Sequence, residues 1–286
     1  MGDNRFSWNL ALSIEMIGAL AHYRSRIAER GLQKIIRNRL HWYKVWFQMD
    51  NWWVGRLIEL TGNTIKVDGV TLSVDNPQVL TMHKSSLYFG IYEIAERELA
   101  KRHIDPSLPL IEIGASIGGV SCITNRLLSH PSRHVVIECN PHNLPTLRKN
   151  RDLNECAFAI EPFAIAYGAE TIDFNIVDFM TGNLSGRDEG TKTTVKTTTL
   201  KNIIDKYHFQ EINLISDCEG AEEDLVHNES ETLRKHVKRL ILETHPELRG
   251  QDSPARVKNA LHDIGFITIE DDKSKDVVAM ENKNLI

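Results

Sequence analysis

What is scarce in this 286-residue chain narrows its class before any motif is read. Its cysteines, Cys122, Cys139, Cys156 and Cys218, are few and show no C-x-x-C spacing, which excludes a disulfide framework and a cysteine metal site. They read as reduced thiols, an expectation that places the protein in the cytosol. No apolar run reaches the roughly 20 residues that a membrane helix needs. The mildly apolar stretch from Trp8 to Leu20 is broken by Glu15 and has no basic leader of the kind that precedes a cleaved signal. Positive charge is not in excess: 34 Lys and Arg face 39 Asp and Glu, a net charge of −5, which argues against nucleic acid as the main partner. Repeats and low-complexity tracts are absent. Hydrophobic content of 41% and charged content of 26% are those of an ordinary globular protein, long enough for one large domain with an extension or for two.

Tryptophan is missing beyond residue 53, and this unevenness marks an N-terminal extension. Trp8, Trp42, Trp46, Trp52 and Trp53 all precede the hydrophobic body, and between Ala21 and Phe47 seven basic residues face only Glu29. The segment reads as a basic helix. It either packs Ile27, Ile35, Ile36 and Leu40 on the body, or lies peripherally on an anionic membrane surface or a lipid-linked glycan carrier. The expected organisation is an extension over 1–60, a β-hairpin segment over 61–84 with its turn at Asp68-Gly69, and a main domain over 85–286. A single helix is expected from Leu87 to His103, with Tyr92 and Glu93 close enough to the following turn to reach a ligand there.

That turn is the centre of the sequence. Leu110 to Ile113 reads as a buried strand, Gly114 to Gly119 as a glycine turn, Val120 to Leu128 as a helix, and Val135 to Ile137 as a second buried strand ending on Glu138. Glycines at 114 and 118 let backbone approach a ligand where a helix N-terminus offers free N–H groups. Glu138, 24 residues after Gly114, stands where an acid accepts hydrogen bonds from ribose hydroxyls. Ser116 replaces the middle glycine of the dinucleotide pattern, and Glu112 adds negative charge where a pyrophosphate would lie. Both departures favour a cationic adenosine ligand, S-adenosylmethionine. A nucleotide-dependent oxidoreductase is the runner-up, and a non-catalytic glycan- or membrane-associated scaffold the third reading.

Further along, a helix is expected from Pro141 to Asp152, a mobile loop over 181–192, and strands at Ile212 to Ile215, Arg239 to Leu242, Phe266 to Ile269 and Val277 to Met280. This alternation predicts an α/β doubly wound sheet whose last strand is antiparallel. Ligands of such sheets lie at the carboxyl ends of the strands. Those ends carry Glu112, Glu138 with Asn140, Glu161 to Phe163, Asp217 to Glu222, and Glu243 to His245. So many acids call for a cation, either a sulfonium or a divalent metal, although no residue is assigned here as a metal ligand. Asp217 closes an apolar strand, where a carboxylate gains nothing unless paired. Glu219 and Glu222 read equally as first-turn acids favoured by a helix dipole. His245 suits a general base or a satisfied core histidine.

The ordered segments IEIGASIG, VVIECNP, NRDLN, TTTL, DCEGAE and LETHPE resemble the FkbM family of class I S-adenosylmethionine-dependent methyltransferases over about residues 85 to 250. The resemblance implies a Rossmann-like seven-stranded sheet and methyl transfer to a hydroxyl of a sugar, glycan or natural product. Carried onto this chain, Glu112, Gly114, Ser116 and Gly118 hold the methionine end of the cofactor, Glu138 the ribose, and Phe163 and Ala164 the adenine. Asp217 and Glu219 face the reaction centre. Cys139, Lys201 and Ile215 depart from the pattern common in the family and bear on substrate orientation more than on the cofactor.

Overall fold

A computed structural model describes residues 51–176, 182–183 and 191–285 of the chain. The basic segment between Ala21 and Phe47 and most of the loop expected over 181–192 lie outside the described residues. The described part belongs to one compact unit that starts at Asp50.

The strand-forming runs are apolar on both faces because helices cover both sides of the sheet. Strands β3 (Leu110–Ile113) and β4 (His134–Ile137) are buried at every position. With β5 (Ala159–Glu161), β10 (Ile212–Ser216), β11 (Val237–Glu243), β12 (Phe266–Asp272) and β13 (Val277–Asn282) they form a seven-stranded sheet in the order β12-β13-β11-β10-β3-β4-β5. Strand β10 pairs in parallel with β3 and with β11, whereas β13 runs antiparallel to both β11 and β12. The chain passes from β3 outward through β4 to β5, then returns to the other side at β10. The switch point therefore falls between β3 and β10, where the carboxyl ends of the two strands open a crevice.

Helix α1 (Trp52–Leu60) starts on an asparagine cap: Asn51 Oδ1 accepts from Trp53 N at 3.0 Å and Val54 N at 3.3 Å. The hairpin β1 (Thr64–Val67) and β2 (Val70–Ser73) turns through Asp68 and Gly69, with φ of 48° and 81° as a primed two-residue turn requires. Val54, Ile58, Ile65 and Leu72 from these elements share one apolar cluster with Ala115 and Ile117 of the glycine turn. A separate sheet joins β6 (Ala164–Ile165), β7 (Thr171–Ile176), β8 (Gly182–Asn183) and β9 (Thr191–Thr198) in the order β6-β9-β7-β8.

Two expectations of helix position are corrected. The single helix from Leu87 to His103 is two, α2 (His83–Tyr88) and α3 (Ile94–His103), separated where Gly90 and Glu93 take φ of 65° and 51°. Arg97 holds the break open: its guanidinium donates to the carbonyls of Gly90 and Glu93 and pairs with Asp68 at 3.3 Å. Apolar periodicity cannot register a side chain that satisfies the carbonyls freed by a break. The helix expected from Pro141 begins instead at Leu144, as α5 (Leu144–Leu153), and Pro145 takes the first-turn position. Pro141 lies in the preceding turn, where Asn140 Oδ1 accepts from His142 N at 3.0 Å.

Candidate active site

The crevice is built by forced proximity of backbone. A Cβ on Gly114 would lie 1.7 Å from the carbonyl oxygen of Asp217, and its φ is +84°, so glycine alone brings the ends of β3 and β10 into contact. Hydrogen bonds Gly114 N to Ile137 O (3.0 Å) and Asp217 N to Ile113 O (3.0 Å) extend the ladders to the last residue. Gly118, at φ +87°, leads into α4 (Gly119–Asn125), and a Cβ there would meet Leu147 Cδ1 at 2.6 Å.

Glu138 holds the turn from the neighbouring strand. Its two oxygens accept from Ser116 N and Asn140 N, both at 2.6 Å. Ser116 sits at φ +50°, and this charge-assisted bond supports that conformation. Burial pushes the Glu138 carboxyl up to about 7, against the lowering effect of those two bonds. Each oxygen keeps a further lone pair, so the residue fits a ribose hydroxyl without giving up the turn. Asn140 donates through Nδ2 to Gln78 Oε1 at 2.9 Å while its Oδ1 serves the next turn, so its side chain is engaged in shaping this rim.

Other sequence-predicted residues are distributed around that turn. Glu112 lies beneath it, 2% exposed, accepting from Ser121 Oγ at 2.7 Å. Its second oxygen lies 3.5 Å from His134 Nε2 without forming a hydrogen bond. The break between α2 and α3 turns Tyr92 and Glu93 inward. Tyr92 hydrogen-bonds with Ser116 and Glu93, and Glu93 Oε2 stands 3.3 Å from where a Cβ on Gly119 would be. Burial, and then the fields of Glu96 and Asp217, hold the Glu93 carboxyl well above the usual carboxylate range. Phe163 packs at the edge of the main core and Ala164 opens β6, paired with Thr197.

On the other side of the switch point Asp217, Glu219, Glu222, Glu243 and His245 converge. His245 Nδ1 is 2.7 Å from Glu222 Oε1, and its Nε2 is 3.3 Å from Asp217 Oδ1 and 3.7 Å from Glu219 Oε2. Glu219 and Gly220 adopt φ of 49° and 92°, and in the bend they form Gly220 N donates to Glu222 Oε1 at 3.1 Å. Burial works against charge on His245. The hydrogen bond to Glu222 and the fields of Asp217 and Glu219 outweigh it and raise the imidazole to about 10. Burial pushes Asp217 up to about 7, with His245 opposing, and pushes Glu219 up to about 8 with the help of Asp217. Glu243 rises further, through burial, the field of Asp217 and a hydrogen bond with Glu96.

Glu96 is not singled out by the sequence, which leaves Glu222 open between a first-turn acid favoured by the helix dipole and a site acid. Glu96 is 5% exposed and Glu222 1% exposed, and both face the crevice acids rather than solvent. The available signal was Glu96 lying one helical turn from Glu93 and Tyr92. Without the break at Glu93 that spacing had no direction.

The donor set fits S-adenosylmethionine on its chemistry. Carboxylates Glu93, Glu112, Glu138 and Asp217, the second and third of them buried, surround a turn with glycine at 114, 118 and 119, and Glu138 gains unfavourable field from Asp217 and Glu112. A ligand with a sulfonium and an ammonium group relieves that repulsion, and a pyrophosphate would increase it.

A family model described as the methyltransferase FkbM domain matches residues 112–268. A search of curated proteins found no match. Among solved structures the fold is similar to a putative rRNA methylase from Clostridium thermocellum, at 11% identity and a TM-score of 0.42 over 65% of this chain and 93% of that one. It is similar also to a putative methyltransferase from Streptococcus mutans in complex with SAH, at 11% identity and a TM-score of 0.41 over 66% and 96%. A third similar structure is TYW2 from M. jannaschii in complex with AdoMet, at 13% identity and a TM-score of 0.40 over 76% and 82%.

Proposed function

Because this chain belongs to the FkbM methyltransferase domain family and its cofactor is S-adenosylmethionine, we propose that it methylates a hydroxyl oxygen of a sugar, a glycan or another natural product. The oxidoreductase alternative falls with the family. The observation that supports an oxygen acceptor is Asp217: a half-buried carboxylate beside the glycine turn, with Oδ1 cut off from solvent and accepting no hydrogen bond.

When bound, the cofactor supplies an electrophilic methyl group on a sulfonium. The chain's own residues supply position, dryness and a route for the proton. The tight Gly114 contact fixes the Asp217 backbone against the turn, where its side chain would help hold an acceptor near the cofactor. A hydroxyl is a poor nucleophile until its proton is drawn away, and Asp217 is the carboxylate to which this reading gives that task. His245, charged by its three acidic neighbours, has no lone pair to offer as a free base in the ligand-free protein and positions Asp217 instead.

Replacing Asp217 with Asn is expected to reduce turnover by at least about 100-fold, in the range of a lost general base, with S-adenosylmethionine binding retained by calorimetry. Turnover near the wild-type value would overturn the role. Released S-adenosylhomocysteine, screened against sugars, nucleotide sugars and lipid-linked glycans, identifies the acceptor. Release with amine acceptors alone would overturn the oxygen assignment.

A further inference from the structure

We propose that Asp217, Glu243 and His245 form a binding site for one divalent cation that accepts mixed oxygen and nitrogen ligands, Mn²⁺ or a similar first-row ion. One donor atom from each residue lies within 4.8 Å of the other two. Donors that share an ion at roughly 2.1 to 2.3 Å lie about 3 to 4.5 Å apart, so little movement closes the set.

The histidine is arranged as a ligand. Glu222, 1% exposed, takes Nδ1–H at 2.7 Å, which fixes the tautomer and leaves Nε2 turned toward Asp217 and Glu219. A carboxylate behind one nitrogen and an open lone pair on the other is the usual support of a metal-bound imidazole. A second, independent observation points the same way. Asp217 Oδ1 is sealed from solvent, 3.3 Å from Nε2, and makes no hydrogen bond with it or with any other group. A positive centre held by both residues would satisfy that oxygen.

Two carboxylates and one imidazole leave open positions on a six-coordinate ion. The role in the reaction rests on the methyltransferase reading, whereas occupancy of the site does not. With the acceptor hydroxyl beside the ion, the ion would weaken the O–H bond, Asp217 would take the proton through its second oxygen, and the O–CH₃ bond would form as the S–CH₃ bond breaks.

The test uses full-length protein stripped with a chelator and titrated with Mn²⁺, with free ion read by electron paramagnetic resonance. Expected are one bound Mn²⁺ per chain and pulsed spectra with a ¹⁴N coupling from a single imidazole. Affinity should fall at least about tenfold in E243Q and about 10- to 100-fold in E222Q, the range for loss of an outer-shell partner. Mn²⁺ should also raise the melting temperature of the wild type and not of E243Q. Saturating S-adenosylmethionine should leave Mn²⁺ in place. Absence of saturable binding, absence of the ¹⁴N coupling, or displacement of Mn²⁺ by S-adenosylmethionine overturns the site. Because the coupling is measured on wild-type protein, a variant that fails to fold does not obscure the answer. Calorimetry with S-adenosylmethionine on the same samples separates the two readings: cofactor binding without Mn²⁺ binding removes the metal site and leaves the methyltransferase reading intact.

Discussion

Asp217, Glu138 and Glu219 bind protons more tightly in the folded chain than they would in an unfolded one, because burial disfavours their charged forms. The sign of the consequence follows from linkage. Each carboxyl costs nothing below its unfolded value near 4, and the cost grows as pH rises until it is complete above its folded value of about 7 or 8. His245 acts in the same direction: its stabilising contribution is full below its ordinary value of 6.5 and is lost as pH rises through about 10. Surface acids such as Glu59, held down near 2 by hydrogen bonds from Thr81 and Lys84, matter only at lower pH. Thermal melts of the ligand-free protein between pH 5 and 9 should therefore show a midpoint that falls as pH rises. A midpoint that climbs over that range would mean the acids are not buried as described.

Helix α5 and its C-cap carry the two asparagines of the N-R-D-L-N segment, and their task is to fasten the hairpin. Asn150 Oδ1 accepts from Ser73 N at 2.6 Å, and its Nδ2 donates to Ser73 O (3.1 Å) and Ile117 O (2.8 Å). Asn154 repeats the arrangement one turn later, with Thr71 N at 2.9 Å and Thr71 O at 2.7 Å. A strand edge without a neighbouring strand thus finds backbone-like partners on a helix, and Ile117 of the glycine turn is tied to the same Asn150 side chain. Asn150→Ala leaves three buried backbone groups short of partners, each worth about 1 kcal/mol or more. We expect a loss of about 2 to 4 kcal/mol in urea unfolding, and weaker cofactor binding, since Ile117 sits inside the turn. A loss below about 0.5 kcal/mol would show that water replaces these bonds. The segment was visible in the sequence only as part of a family pattern, because its hairpin partner is 77 residues distant.

For the molecule as a whole, the first described helix is unusual in what it leaves uncovered. Trp53 and Leu60 are 73% and 75% exposed, and Trp52 and Leu57 are more than half exposed, while Val54 and Ile58 bury the opposite face. Basic residues precede this helix in the sequence, and among the described residues no helix is long and apolar enough to cross a membrane. We propose peripheral contact with anionic lipid through this end of the chain, where a lipid-linked acceptor would be met. Full-length protein should co-sediment with vesicles containing anionic lipid, and protein lacking residues 1–55 should not. Equal co-sedimentation of the two would remove the idea.

The alternation of apolar runs with glycine and polar turns was enough to read the sheet, its antiparallel last strand and the Asp68-Gly69 hairpin, because burial on both faces and a φ > 0 turn leave marks within a few neighbouring residues. The motif residues at strand ends were legible for the same reason. What required the fold was everything that depends on contacts across the sheet. Gly114 is compelled by the Asp217 carbonyl, the helix break at Glu93 is held by Arg97, and His245 is oriented by Glu222. Each of these joins side chains or backbone brought together only by packing. Local periodicity records which face of an element is apolar, and it carries no information about which distant atom will lie opposite.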